Sequence, residues 1–245
     1  MQNRDDDPSR SVKGIIERIS RLDTYVHTIA SDVASEVDAM VYLRQTLGPS
    51  AYIPPAGGWA AQYKTIAYLV GEILENQDLD DVTELGSGVS TVWMGLALQA
   101  RGRGHLTSVE HDPHYRARTN SFIQAHGLER IVTLRHAPLK DLVGGGGTWY
   151  EVDTVRADLP KSGLLFIDGP PAVSDPQVRF PAIEHLHEHL RDQSLIVLDD
   201  FDRQGERDIV ERWTATGGPG WRLVQEDVVG RSVVLRLHTP LRGKP

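Results

Sequence analysis

Between Val12 and Leu47 apolar residues return in alternating steps of three and four. Val12, Ile15, Ile19, Leu22, Val26, Ile29, Val33, Met40, Leu43 and Leu47 occupy the a and d positions of one heptad register, with Glu36 the single polar residue in the seam. A 3.5-residue period held this long predicts one long helix, laid either against a coiled-coil partner or along its own domain. Gly48-Pro49-Ser50 ends it. Residues 51–61, with two prolines and two glycines ahead of Trp59, predict a turn-rich loop. Residues 62–76 predict a second helix with Ile66, Leu69, Val70, Ile73 and Leu74 on one face.

A strand–helix rhythm follows. Short apolar runs predict strands at 82–85, 106–110, 131–135, 164–168 and 195–199. Helical patterns separate them at 90–99, 114–126, 180–190 and 205–214. A glycine run at 144–147 reads as a loop and 149–155 as a short helix, while 221–225 and 232–238 read as a closing hairpin. The alternation predicts an α/β, Rossmann-like fold: a mostly parallel seven-stranded sheet with helices on both faces. The expected division is an N-terminal helical segment, 1–50, and a main domain, 51–245. The uncovered seam predicts a homo-oligomer built through the N-terminal helix.

The 245 residues carry a net charge of −8, so neutralising nucleic-acid phosphates is not an expected task. There are no cysteines, which excludes disulfides, a thiol nucleophile and a Cys-ligated zinc. The first residues have neither a basic nor an apolar leader region, and no apolar run reaches the roughly 18 residues of a membrane span. A cytoplasmic protein acting on a small molecule is the expectation.

Open parallel sheets bind ligands beyond the carboxyl ends of their strands. Glu84-Leu-Gly-Ser-Gly88, Glu110-His-Asp112, Asp168-Gly-Pro-Pro171 and Asp199-Asp200 stand at those ends. Gly86 and Gly88 would let backbone N–H groups approach a ligand at a helix N-terminus, and a Gly86→Val change is expected to block it while sparing the fold. Thr91 stands where a dinucleotide fingerprint needs a third glycine, which weakens an NAD reading. Glu110 could hold ribose hydroxyls in either kind of protein.

The string Val82-Thr-Glu-Leu-Gly-Ser-Gly-Val-Ser-Thr91 resembles the first motif of class I S-adenosylmethionine-dependent methyltransferases. The resemblance continues through Ser108–Asp112, Arg135–Leu139, Phe166–Pro171 and Val197–Asp200, and is nearest to the bacterial family 24 branch. It implies adenosylmethionine as cofactor, with Glu84, Gly86, Ser87, Gly88 and Ser90 around its amino-acid end. It further implies Glu110 on the ribose, His111 and Ala137 at the adenine, and Asp168 near the methyl group. For Glu84 and Ser90 the competing reading is loop bracing.

Related O-methyltransferases hold a divalent cation with acids at these strand ends. Asp168, Asp199 and Asp200 are therefore candidate ligands for Mg2+, and Asp168 and Asp200 candidate catalytic groups. The competing reading pairs the aspartates with arginine. The expected reaction is methyl transfer to a hydroxyl of a small metabolite or saccharide. An aminopropyl transferase and a non-catalytic binding or structural protein stay open as alternatives.

Overall fold

A computed structural model describes residues 12–239 apart from 59, 144–146, 174 and 219. Trp59 and most of the glycine run therefore lie outside the described residues. Helix α1 spans Val12–Leu47 and α2 Tyr63–Glu75, as the periodicity predicts. Strands β1 (Asp81–Leu85), β2 (His105–Glu110), β3 (Val132–His136), β6 (Ser162–Ile167) and β7 (Leu190–Leu198) alternate with α3 (Val89–Arg101), α4 (Pro113–Ala125), α6 (Pro181–Leu186) and α7 (Gln204–Thr216). Strands β8 (Arg222–Val229) and β9 (Ser232–His238) close the chain as a hairpin. The sheet order is β3-β2-β1-β6-β7-β9-β8, with every strand running the same way except β9, which is antiparallel to both of its neighbours.

Side chains alternate across the sheet, so each strand feeds two cores. Leu164 and Phe166 pack with α2 and α3, while Leu165 and Ile167 pack toward α6 and α7. Both cores are closed to solvent, which is why β6 reads as an unbroken apolar run. The last part of α1 joins the first core through Leu43, which is 0% exposed. Among the described residues no helix is long and apolar enough to cross a membrane.

Two local expectations fail. The helix expected over 149–155 forms only in its second half; Trp149 and Tyr150 belong to a strand, β5 (Thr148–Tyr150), paired antiparallel with β4 (Leu139–Asp141). Only α5 (Val152–Arg156) is helical there. Trp149 and Tyr150 are both fully buried, an arrangement set by tertiary contacts rather than by local period. The helix expected over 180–190 ends at Leu186, passes through a 3-10 turn at His187–His189, and gives way to β7 at Leu190. Gln193, at φ 62°, and a register shift between Ser162 and Leu164 interrupt the alternation that would have revealed the early start of β7.

Candidate active site

Four adjacent strands end level with one another. The Gly86 N–H donates to the Val109 carbonyl (2.9 Å), the Asp168 N–H to the Leu85 carbonyl (2.8 Å) and the Asp199 N–H to the Ile167 carbonyl (3.0 Å). The strand order switches between β1 and β6, with β2 and β3 added on one side and β7 on the other, so the crevice opens between Gly86 and Asp168.

The two glycines of the first loop do different work. Gly86 has φ 93°, and a Cβ there would lie 2.8 Å from the Asp168 carbonyl oxygen. Its lack of a side chain lets two strand tips touch. Gly88 precedes α3 as its N-cap, and a Cβ there would meet nothing within 4 Å. Open space over the first amides of a helix is a cradle for an anionic group. The expectation that Gly86→Val spares the fold is therefore corrected: the added bulk strikes backbone, and Gly88 is the position facing open space.

Glu84 is wholly buried. Its carboxylate accepts hydrogen bonds from Ser90 Oγ (2.5 Å), Thr91 Oγ1 (2.5 Å) and Ser108 Oγ (2.6 Å). Burial pushes its pKa up to about 7 against the opposing effect of these three hydroxyls. Glu84 and Ser90 thus brace the glycine loop from behind. Glu110 stands at the mouth. Its Oε2 accepts from the Ser87 N–H (3.1 Å) and Ser87 Oγ (3.0 Å), and its Oε1 from the Asp112 N–H (2.9 Å). Burial raises its pKa, but the hydrogen bonds from His111, Asp112 and Ser87 together outweigh burial and leave it below the ordinary value. Asp112 caps α4 through the amides of His114 and Tyr115. His111 is partly exposed beside Glu110, whereas Ala137, at the end of β3, is 0% exposed.

Asp168, Asp199 and Asp200 converge as expected: one carboxylate oxygen from each lies within 4.8 Å of the other two. Asp200 holds a left-handed φ of 61°, a conformation aspartate tolerates better than most residues. Arg179, 2% exposed, threads between them. Its Nη2 donates to Asp200 Oδ2 (3.0 Å) and Asp168 Oδ1 (3.5 Å), its Nη1 to the Asp199 carbonyl (3.0 Å), and its Nε to the Pro170 carbonyl (3.3 Å). Arg203 adds a contact to Asp200 (2.8 Å), and Arg231 approaches Asp199 (3.9 Å) and Asp200 (3.7 Å). Burial, with Asp199 alongside, lifts the Asp168 carboxyl well above the usual range, Arg179 acting in opposition. Asp168, Asp200, Arg179 and Arg203 line a cleft together with Gly58 and Pro171–Val173.

The glycine loop ahead of α3, the Glu110 carboxylate and the acidic cleft thus stand on neighbouring strand tips. Residues 83–201 match the family 24 model described as a methyltransferase domain. The chain carries a methyltransferase domain. No curated relative matches it. Solved structures share its fold at low identity. The O-methyltransferase from Bacillus cereus in complex with SAH is 17% identical, with 84% of this chain and 91% of that chain covered and a TM-score of 0.53. TomG from Streptomyces achromogenes, an O-methyltransferase involved in tomaymycin synthesis and solved with SAM, is 19% identical, with coverage of 74% and 82% and a TM-score of 0.54. The SAH-bound methyltransferase PaMTH1 from Podospora anserina is 12% identical, with coverage of 89% and 95% and a TM-score of 0.58.

Two groups near these strand tips stand out that the motifs alone do not place. Arg231 sits in the β8–β9 turn, and its approach to the acids depends on the antiparallel strand that follows β7. Tyr150 is buried with its hydroxyl lacking a hydrogen-bond partner, and burial pushes its pKa well above the ordinary value. It lies under the strand tips, with its ring edge-on to that of His111. The histidines 185, 187 and 189 diverge: His185 lies against Trp149, His187 against Trp221, and His189 meets Arg156.

Proposed function

We propose that this methyltransferase uses S-adenosylmethionine to methylate a hydroxyl oxygen of a small acceptor. One observation carries the reading: the open cradle at Gly88, the Glu110 carboxylate and the Asp168 carboxyl stand on three adjacent strand tips facing one crevice. The residues fit the cofactor, because the free space at Gly88 adjoins the first amides of α3 and the next tip carries an ionised acid for two ribose hydroxyls. When bound, the cofactor supplies an electrophilic methyl group.

The chain's own task is to hold the acceptor oxygen in line with that carbon and remove its proton. Gly86, Gly88 and Ser87 shape the loop, and Glu110 fixes the ribose end. Asp168 lines the acceptor cleft, and burial, with Asp199 beside it, raises its pKa and so makes its carboxylate a stronger proton acceptor. It takes the hydroxyl proton as the C–O bond forms. Asp200, paired with Arg179 and Arg203, positions Asp168 through their shared guanidinium. Turnover should fall at least about tenfold in Asp168→Asn with cofactor affinity retained, since the base is lost and the cradle is not. Equal turnover in that variant overturns the assignment of the base.

A divalent cation such as Mg2+ is a second reading, favoured by the convergence of three carboxylates and by Asp199 Oδ2, which is buried without a hydrogen-bond donor. Asp168, Asp199 and Asp200 would hold it, and it would lower the pKa of the acceptor hydroxyl. The cation and the Arg179 guanidinium compete for the same oxygens of Asp168 and Asp200. Calorimetric titration with Mg2+ decides between them. Heat of binding that disappears in Asp199→Asn supports the metal; a flat titration with full turnover after chelation leaves the charge balance to Arg179.

A further inference from the structure

The a/d stripe of α1 changes environment at Glu36. From there to Leu47 it faces its own domain. Glu36 accepts hydrogen bonds from the amides of Tyr63 (2.8 Å) and Lys64 (3.3 Å), capping α2, and Leu43 is in the core. N-terminal to Glu36 the same stripe has no cover from the described residues. Ile15, Ile19, Leu22, Val26, Ile29 and Val33 are 44–61% exposed on a helix arm about 36 Å long. The positions on the opposite face, Glu17, Arg21, Thr24, Thr28 and Ser31, are polar. An arm with one apolar stripe and one polar face is a half-interface.

We infer that two copies of this chain associate through these arms, antiparallel. The direction follows from the change at Glu36. A partner helix running parallel along the stripe would meet α2 of the first copy beyond residue 36, because α2 already occupies that side. An antiparallel partner sets its own Val12 opposite Glu36, so that the described part of its helix lies wholly on the uncovered stripe and the two domains stand at opposite ends.

The register follows from the spacing. Setting Ile15 opposite Val33 of the partner subunit places Ile19 opposite the partner's Ile29 and Leu22 opposite the partner's Val26. Every exposed seam residue then meets an apolar one, in six layers about a twofold axis near residue 24. The flanking positions agree. Arg18 lies beside the partner's Asp32 on each side of the axis, and Asp32 is 66% exposed with Lys64 of its own chain at 3.5 Å. Asp23 faces its own copy at the axis, the one like-charge contact of this register, with His27 of its own helix 3.7 Å away and both side chains open to solvent. The stripe and its flanks cover on the order of the 800 Å2 per partner found in standard stable interfaces.

The absence of cysteine makes the test direct. Full-length protein is expected to be dimeric by light scattering at micromolar concentration. Leu22→Glu is expected to be monomeric with the thermal transition of the domain unchanged, since Leu22 touches none of the core. Under oxidation, a mixture of the Ile19→Cys and Ile29→Cys proteins is expected to form a disulfide-linked dimer. Neither variant should do so alone, because each residue and its own copy lie about 15 Å apart along the axis. A monomeric wild type, a dimeric Leu22→Glu protein, or Ile19→Cys linking to itself each overturns the proposal.

Discussion

The contrast between the two loop glycines gives the sharpest handle on the site. A Cβ at Gly86 must adopt a left-handed φ of 93° and sit 2.8 Å from the Asp168 carbonyl oxygen. The left-handed conformation alone costs about 1–2 kcal/mol, and the contact with backbone cannot relax by a rotamer change. Gly86→Ala should therefore lower stability by about 2 kcal/mol or more, before any ligand is considered. A side chain at Gly88 meets nothing within 4 Å, so Gly88→Val should lose no more than about 1 kcal/mol, the ordinary cost of a poorer helix cap. Its side chain projects into the cradle. If the cofactor's amino-acid end lies there, affinity for S-adenosylhomocysteine should fall about 100-fold or more, equivalent to about 2.7 kcal/mol. Denaturant melts and calorimetric titration of both variants separate the effects. The reasoning is refuted if Gly88→Val binds like wild type, or if it is destabilised as much as Gly86→Ala.

Removing Arg179 should be a large perturbation. Arg179→Met leaves Asp168, Asp200 and Glu206 without their buried cation, a loss of about 3–5 kcal/mol; wild-type denaturant stability in that variant would contradict it. Glu84 sets a pH dependence. Its pKa is raised from 4.5 to about 7, so its stabilising contribution is complete below about 4.5 and is lost as pH rises through 7, a change of about 3 kcal/mol. Asp168, Asp199 and Glu206 are also raised and act with the same sign. Stability measured by urea melts should fall between pH 5 and pH 8, less steeply in Glu84→Gln; a flat or rising profile would sink the burial argument.

Much of this was legible in the sequence because the strands are short, apolar and end in acids or glycine. A run such as Leu164-Leu-Phe-Ile167 can only be a strand buried on both faces, and the next residue, Asp168, must then stand at its tip. Likewise α1 ends at Leu47 because its heptads end there. What escaped was non-local. Strands of three residues, as in β4 and β5, are too short to show a period. Arg179 looks like any arginine before a helix, and only the assembled sheet brings Asp168, Asp199, Asp200 and Glu206 around it. Glu84 precedes the glycine loop in sequence, which reads as ligand contact. Its three hydroxyl partners come from α3 and β2, and they turn it inward as a brace.

Retention of tritiated S-adenosylmethionine by the purified protein, in competition with S-adenosylhomocysteine and with NAD, tests the central claim most directly. The account predicts one cofactor per chain, displaced by S-adenosylhomocysteine, indifferent to NAD, and lost in both Gly88→Val and Glu110→Ala. No retention by the wild-type protein, displacement by NAD, or undiminished retention in both variants would contradict it.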